Sequence, residues 1–135
     1  MKRLAAGLLC LVPMVSVLAC SYSYVFEYDV TIAPSVDTSG ELGGARVLMV
    51  AGSGESSIEE TAVDGDVAFD PATSSYSGEG RTCCSPGESM SLYAFIDLNG
   101  NELWDAGEPW GEDPNNPVDI DDDGYVAKIV IEADE

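Results

Sequence analysis

The sequence predicts an all-β fold: a single antiparallel β-sandwich of about seven strands behind an N-terminal signal peptide. Three observations lead there. Apolar and polar residues alternate strictly in the first segment after the signal region, as they do in a strand with one buried face. Short apolar runs recur along the chain, separated by clusters of Gly, Pro, Asn and Asp that form turns. No segment beyond the signal region keeps a 3.6-residue apolar period over helical length.

The first strand is expected over residues 22–32, where Tyr22, Tyr24, Phe26, Tyr28, Val30 and Ile32 occupy every second position. Residues 34–44, rich in Ser, Thr, Asp and Gly, read as a turn or long hairpin loop. A short buried strand follows at 46–51 (Arg-Val-Leu-Met-Val-Ala), closed by Gly52-Ser53-Gly54. Three further short strands are expected at 62–63, 66–69 and 74–77, with Asp64-Gly65 and Pro71 as the separators. Residues 78–87, holding Cys83, Cys84 and Pro86, read as a loop. At 90–96 Met90, Leu92, Ala94 and Ile96 share one side and Tyr93 and Phe95 the other, the signature of a strand covered on both faces. An acidic stretch then runs from Asp97 to Asp113. A brief strand at 117–120, a turn at Asp121-Asp122-Asp123-Gly124 and a last strand at 125–132 complete the domain, with Tyr125, Ala127, Ile129 and Ile131 facing inward.

Residues 1–19 have the layout of an export signal, with Lys2 and Arg3 ahead of an apolar run that Pro13 and Ser16 interrupt. The run is shorter than the roughly 20 apolar residues of a membrane span, so the segment is expected to be removed, leaving residues 20–135 as one acidic extracytoplasmic domain. Val17-Leu18-Ala19-Cys20 resembles the lipobox of bacterial lipoproteins. That resemblance implies lipidation of Cys20 and tethering to a bacterial membrane, with an outer-membrane or cell-surface destination. Cleavage after Ala19 without lipidation is the plainer alternative. Cys83 and Cys84 then stand side by side in an oxidising compartment. Adjacent Cα atoms lie about 3.8 Å apart, below the usual lower limit near 4.4 Å for a bridge. A strained vicinal disulfide, a mixed disulfide and free thiols all stay open, as does pairing with an unlipidated Cys20.

Removal of the signal leaves three basic residues against 25 acidic ones, a formal charge of −22. Such a surface repels nucleic acid and anionic lipid head groups alike, so nucleic acid is not expected as a partner and membrane attachment must come from acyl chains. The same surface attracts divalent cations.

One segment carries metal-binding chemistry. From Asp97 to Glu108 the chain reads Asp-Leu-Asn-Gly-Asn-Glu-Leu-Trp-Asp-Ala-Gly-Glu, with oxygen-bearing side chains at positions 1, 3, 5, 9 and 12 of an EF-hand calcium loop. Calcium takes six to eight hard oxygen ligands, and ligands at alternate residues of a tight loop turn inward around one ion. Asp97, Asn99, Asn101 and Asp105 would supply side-chain oxygens, Leu103 its backbone carbonyl, and Glu108 a closing bidentate carboxylate. Position 6, usually Gly, is Glu102. A left-handed conformation costs a non-Gly residue on the order of 1 kcal/mol, which predicts a looser or shifted loop. Two Asn ligands in place of Asp lower the charge offered to the ion, and both features predict affinity near 10⁻⁴ to 10⁻³ M, about that of extracellular modules. Asp119-x-Asp121-x-Asp123-Gly124 is a weaker echo, expected as a turn or as an extra ligand for the same ion. The plainer reading of the main loop is a hydrated acidic hairpin turning at Asn99-Gly100.

The run from Phe95 through Asp97, Asn99, Asn101, Asp105 and Glu108 to Trp110 and Gly111, followed by Asn116-Pro117-Val118, resembles transthyretin-like or Cna-B-type β-sandwich modules of bacterial surface proteins. The resemblance implies a calcium-supported sandwich used as a stalk or surface module, without catalysis. The residues themselves also argue against catalysis: the chain has no His, so His-based triads and the usual zinc sites are absent. A non-enzymatic structural or interaction module stabilised by calcium is therefore expected, with a protein or glycan partner unidentified. The alternative is calcium-assisted glycan binding on an aromatic platform of Trp104 and Trp110, with Tyr125 beside them. Against that alternative stands packing of both tryptophans at the sandwich rim.

Overall fold

The computed structural model describes residues 24–39, 44–82, 87–120 and 124–134. The signal region, Cys20, the Cys83–Cys84 pair and Asp121 to Asp123 lie outside the described residues. Eight strands form two packed sheets: β1 (Tyr24–Ile32), β2 (Arg46–Ser53), β3 (Ala62–Ala68), β4 (Ser75–Thr82), β5 (Ser89–Asp97), β6 (Trp110–Glu112), β7 (Val118–Asp119) and β8 (Tyr125–Ile131). One sheet has the order β4-β1-β8. The other has the order β3-β2-β5-β6, with β7 added against β5. The architecture is the expected sandwich. One pairing departs from the antiparallel expectation: β1 and β8 run parallel, Phe26 opposite Tyr125 through Ile32 opposite Ile131.

The alternation of β1 is realised residue by residue. Phe26, Tyr28, Val30 and Ile32 are buried, while Glu27, Asp29 and Thr31 face solvent. Against them β8 brings Ala127, Ile129 and Ile131. From β4 come Tyr76 and two small residues, Gly78 and Gly80, whose missing side chains make room for the Met49 thioether and the Phe26 ring. The second sheet supplies Val47, Met49, Ala51, Leu92, Ala94 and Ile96 to this core.

β2 and β5 are buried on both faces, which is why each reads as an unbroken apolar run. Their outer residues Leu48, Val50, Tyr93 and Phe95 form a second cluster, roofed by Ile58 from a one-turn 3₁₀ helix (Ile58–Glu60) and by the two tryptophans. That roof brings the acidic loop into the fold.

Three expectations in the middle of the chain are corrected. Asp64-Gly65 does not separate two strands; it lies inside β3, where Gly65 pairs Met49 and Val63 pairs Val50, so Asp64 is the extra residue of a β-bulge. β4 continues to Thr82, through half of the expected loop, because its glycines sit against the core. The acidic stretch contains a strand of its own, β6, which returns along β5 with Trp110 opposite Phe95. Asp113 and Asn116 then replace backbone partners. The Asn116 amide accepts from Leu92 N and donates to Leu92 O, both at 2.9 Å. The buried Asp113 carboxylate accepts from Lys128 N and from the Tyr125 hydroxyl at 3.1 Å.

Candidate metal centre

Asp97 ends β5, and Pro109 leads straight into β6, so the twelve residues between are a connection whose two ends are held by the sheet. Ile96 N donates to Pro109 O at 2.9 Å and closes its base. The Asp97 carboxylate is buried at 1 % exposure. Its Oδ1 accepts from Asn99 N at 3.2 Å and Gly100 N at 2.6 Å, and its Oδ2 from Glu102 N at 3.0 Å. Glu108 is equally enclosed, at 4 % exposure. Its Oε1 accepts from Leu98 N at 2.8 Å and its Oε2 from Asp105 N at 3.0 Å, so the last acid of the loop is tied back to its first turn.

Asn99 and Asn101 repeat one pattern two residues apart. Each side-chain oxygen accepts the N–H two residues on, Asn101 N and Leu103 N, both at 2.9 Å. Each amide nitrogen reaches Asp105 Oδ2, at 2.7 and 2.8 Å. Positions 1, 3, 5, 9 and 12 are thus joined by hydrogen bonds into one folded loop. Glu102 stands at φ 62°, the left-handed conformation that position 6 of such a loop requires, and it is the one non-Gly residue with positive φ among the described residues. Asp97 holds the Glu102 N–H, so the turn is made with a non-Gly residue in the strained conformation.

Two features had no sequence signal. Trp104 Nε1 donates to Glu108 O at 3.1 Å, so the indole crosses the loop and packs edge-on against Trp110, centroids 5.9 Å apart at 63°. Gly107 N donates to Asp134 Oδ2 at 2.7 Å, which fastens the loop to the C-terminal segment 27 residues away.

The donors are all oxygen: two buried carboxylates, two carboxamides, Asp105, and the Leu103 carbonyl of the sequence pattern. That set suits a hard cation and excludes soft-metal chemistry. Among the described residues no three carboxylate, Cys or His side chains lie together at metal-ligating range. Coordination would therefore draw on the amide and backbone oxygens and on a turn of the Asp105 carboxylate away from the two amides. Electrostatics favours that change. Among the described residues the hydrogen-bond partners of the Asp97 and Glu108 carboxylates are all backbone N–H groups, and Arg46, which stands opposite Asp97 in the β2–β5 ladder, forms its ion pair with Asp66 instead. Two buried carboxylates without a cation are unfavourable.

Of the weaker echo, Asp119 is placed away from this site. Asp119 pairs Ser89 at the opposite end of β5, about 26 Å from Asp97 at strand rise. Asp121 and Asp123 lie outside the described residues. Comparison with known proteins returns no match to a family, to a curated protein or to a solved structure.

Proposed function

We propose that this chain is a non-enzymatic, surface-anchored lipoprotein whose β-sandwich serves as a structural or interaction module stapled by calcium. The ion would be held by Asp97, Asn99, Asn101, Leu103, Asp105 and Glu108, and the anchor by lipid on Cys20. The observation that carries the metal reading is the pair of buried carboxylates, Asp97 and Glu108, neither in an ion pair among the described residues, at the two ends of a loop that already has left-handed backbone at position 6. A divalent ion there offsets their repulsion and that of Asp105, and fixes the β5–β6 connection that roofs the second cluster. The likeness to transthyretin-like and Cna-B-type surface modules belongs to the same proposal and rests on sequence pattern and architecture.

The test is thermal unfolding of the mature chain with calcium and with chelator. With a dissociation constant of about 10⁻⁴ to 10⁻³ M, 10 mM calcium stabilises by about 1.4–2.7 kcal/mol, an upward shift on the order of 5–10 °C in Tm. Asp105→Ala keeps the two buried carboxylates and removes one ligand, so it unfolds near the wild type in chelator and loses most of the calcium response. Identical melts with and without calcium, together with no heat of binding, would falsify the staple. Acylation is read separately: Cys20→Ser abolishes the mass increment of the lipid and releases the protein from membranes.

A further inference from the structure

Between the metal-loop candidate and the 3₁₀ turn lies a cavity of about 140 Å³ over the outer face of the second sheet. Its floor is apolar, made by the buried Val50, Ile58 and Phe95, and the half-buried Trp104 indole lines its wall. Glu59 and Glu102 stand on its rim, one from each bordering segment, and a third lining acid, Asp105, is engaged by the Asn99 and Asn101 amides. Glu59 and Glu102 are exposed, and neither carboxylate has a hydrogen bond or ion pair among the described residues. Glu102 also occupies the left-handed position at which Gly would be unstrained. The chain thus places a carboxylate at this rim although the backbone there disfavours any side chain.

We propose that this cavity receives a lysine side chain from a partner protein. This rests on reading the chain as an interaction module and names the chemistry of what it binds. The volume decides the size of the guest. It is well below the roughly 300–1,000 Å³ of sites for drug-sized molecules and close to the ~150 Å³ that accommodates a single benzene-sized group. The lining decides its chemistry. A lysine has a four-carbon stem that lies on apolar surface and an ammonium that stays at the edge. Here the stem meets Ile58 and Phe95, and the ammonium reaches the Trp104 face and the carboxylates of Glu59 and Glu102. Two acids from separate segments suit the three divergent donors of an ammonium better than a planar fork. The source is another protein. Lys128, the one lysine among the described residues, is on the outer face of the other sheet, and a second copy of so acidic a chain is repelled.

The probe is the peptide acetyl-Gly-Ser-Lys-Ser-Gly-amide, titrated into isotope-labelled mature chain at 150 mM salt, once with calcium and once with chelator. A norleucine-for-lysine peptide is the uncharged control. The lysine peptide should shift the Ile58 and Phe95 signals and the Trp104 indole N–H saturably, with the control at least tenfold weaker. Glu59→Gln combined with Glu102→Gln should weaken the lysine peptide about tenfold at unchanged Tm. The proposal is overturned by equal binding of both peptides, by shifts scattered over the acidic surface without saturation, or by full binding to the double variant. The melts of the same samples report the calcium staple separately. A chain that ignores calcium yet binds the lysine peptide fails the first reading and keeps the second.

Discussion

The Asp97 carboxylate accepts the Glu102 backbone N–H at 3.0 Å and so holds a non-Gly residue at φ 62°. The hydrogen bond and the strain act at the same residue: one stabilises the loop, the other opposes it. Replacing Glu102 by Gly keeps the N–H and removes the steric penalty, about 1 kcal/mol. Glu102→Gly should therefore raise Tm by about 4 °C and tighten calcium binding by up to about fivefold. It should weaken the lysine peptide at the same time. Calorimetry on the one variant reads both effects.

The strands β1 and β8 and the closed turn of the acidic loop were legible in the sequence because a single local signal dominates each. In β1 and β8 one face is buried and the other wet, so alternation reports the fold directly. The ligand spacing from Asp97 to Glu108 is equally local. What was hidden depends on distant partners. Gly78 and Gly80 look like loop residues until Met49 and Phe26 are seen filling the space their side chains would occupy. Asp64-Gly65 looks like a turn until β2 pairs across it with a bulge. The parallel pairing of β1 with β8 joins the two ends of the domain, and neither segment encodes its direction. Asp134 reaches Gly107 from a tail whose sequence is only acidic.

Trp104 separates packing from a glycan platform. Its indole is hydrogen-bonded across the acidic loop and meets Trp110 edge-on, so the two rings share no plane on which a sugar would lie. Trp110 in turn packs against Tyr93, centroids 6.2 Å apart. Trp104→Ala should lower stability by about 2 kcal/mol, below the roughly 3–5 kcal/mol of a fully buried aromatic, and weaken calcium binding through the freed Glu108 carbonyl. A melt with and without calcium measures this. Normal folding of the variant with loss of retention on polysaccharide columns would instead support the glycan reading.

Two glycines test how closely the sheets approach. A side chain at Gly111 would place its first carbon 1.9 Å from the Val130 carbonyl oxygen, where β6 meets β8. Backbone on both sides cannot yield, so Gly111→Ala should destabilise by about 3 kcal/mol or more. At Gly78 the obstacle is the Met49 methyl, at 2.3 Å, the far end of a flexible side chain. Gly78→Ala should therefore cost about 1 kcal/mol, with much of it restored by Met49→Val. Urea unfolding of the three variants orders them, and equal losses at the two glycines would contradict this account.

Asp64 makes stability depend on pH. As the extra residue of the β3 bulge it is partly buried, and desolvation raises its pKa to about 6 despite the hydrogen bond from the Ala51 backbone, which acts in the opposite direction. Its charge adds to the burial that pushes the Tyr28 phenol up, and the Tyr28 hydroxyl has no hydrogen-bond partner among the described residues. A carboxyl with a raised pKa binds its proton more tightly in the folded chain than in the unfolded one. Its contribution is therefore most favourable below the ordinary value of 3.8. That advantage is lost as pH rises through about 6 and stays lost above it. The side chain is partly solvated, so the whole effect, after allowance for screening, is on the order of 1 kcal/mol. Asp64→Asn keeps an acceptor for Ala51 and removes the charge. The variant should match the wild type near pH 4 and exceed it by about 4 °C in Tm at pH 7.5, the gap opening between about pH 4 and 6, the two proton affinities of Asp64. Because both proteins carry the same remaining acids, the difference between their melts isolates this one group. A gap that is constant across that range, or that opens on acidification, would show that burial at the bulge does not set the proton affinity of Asp64.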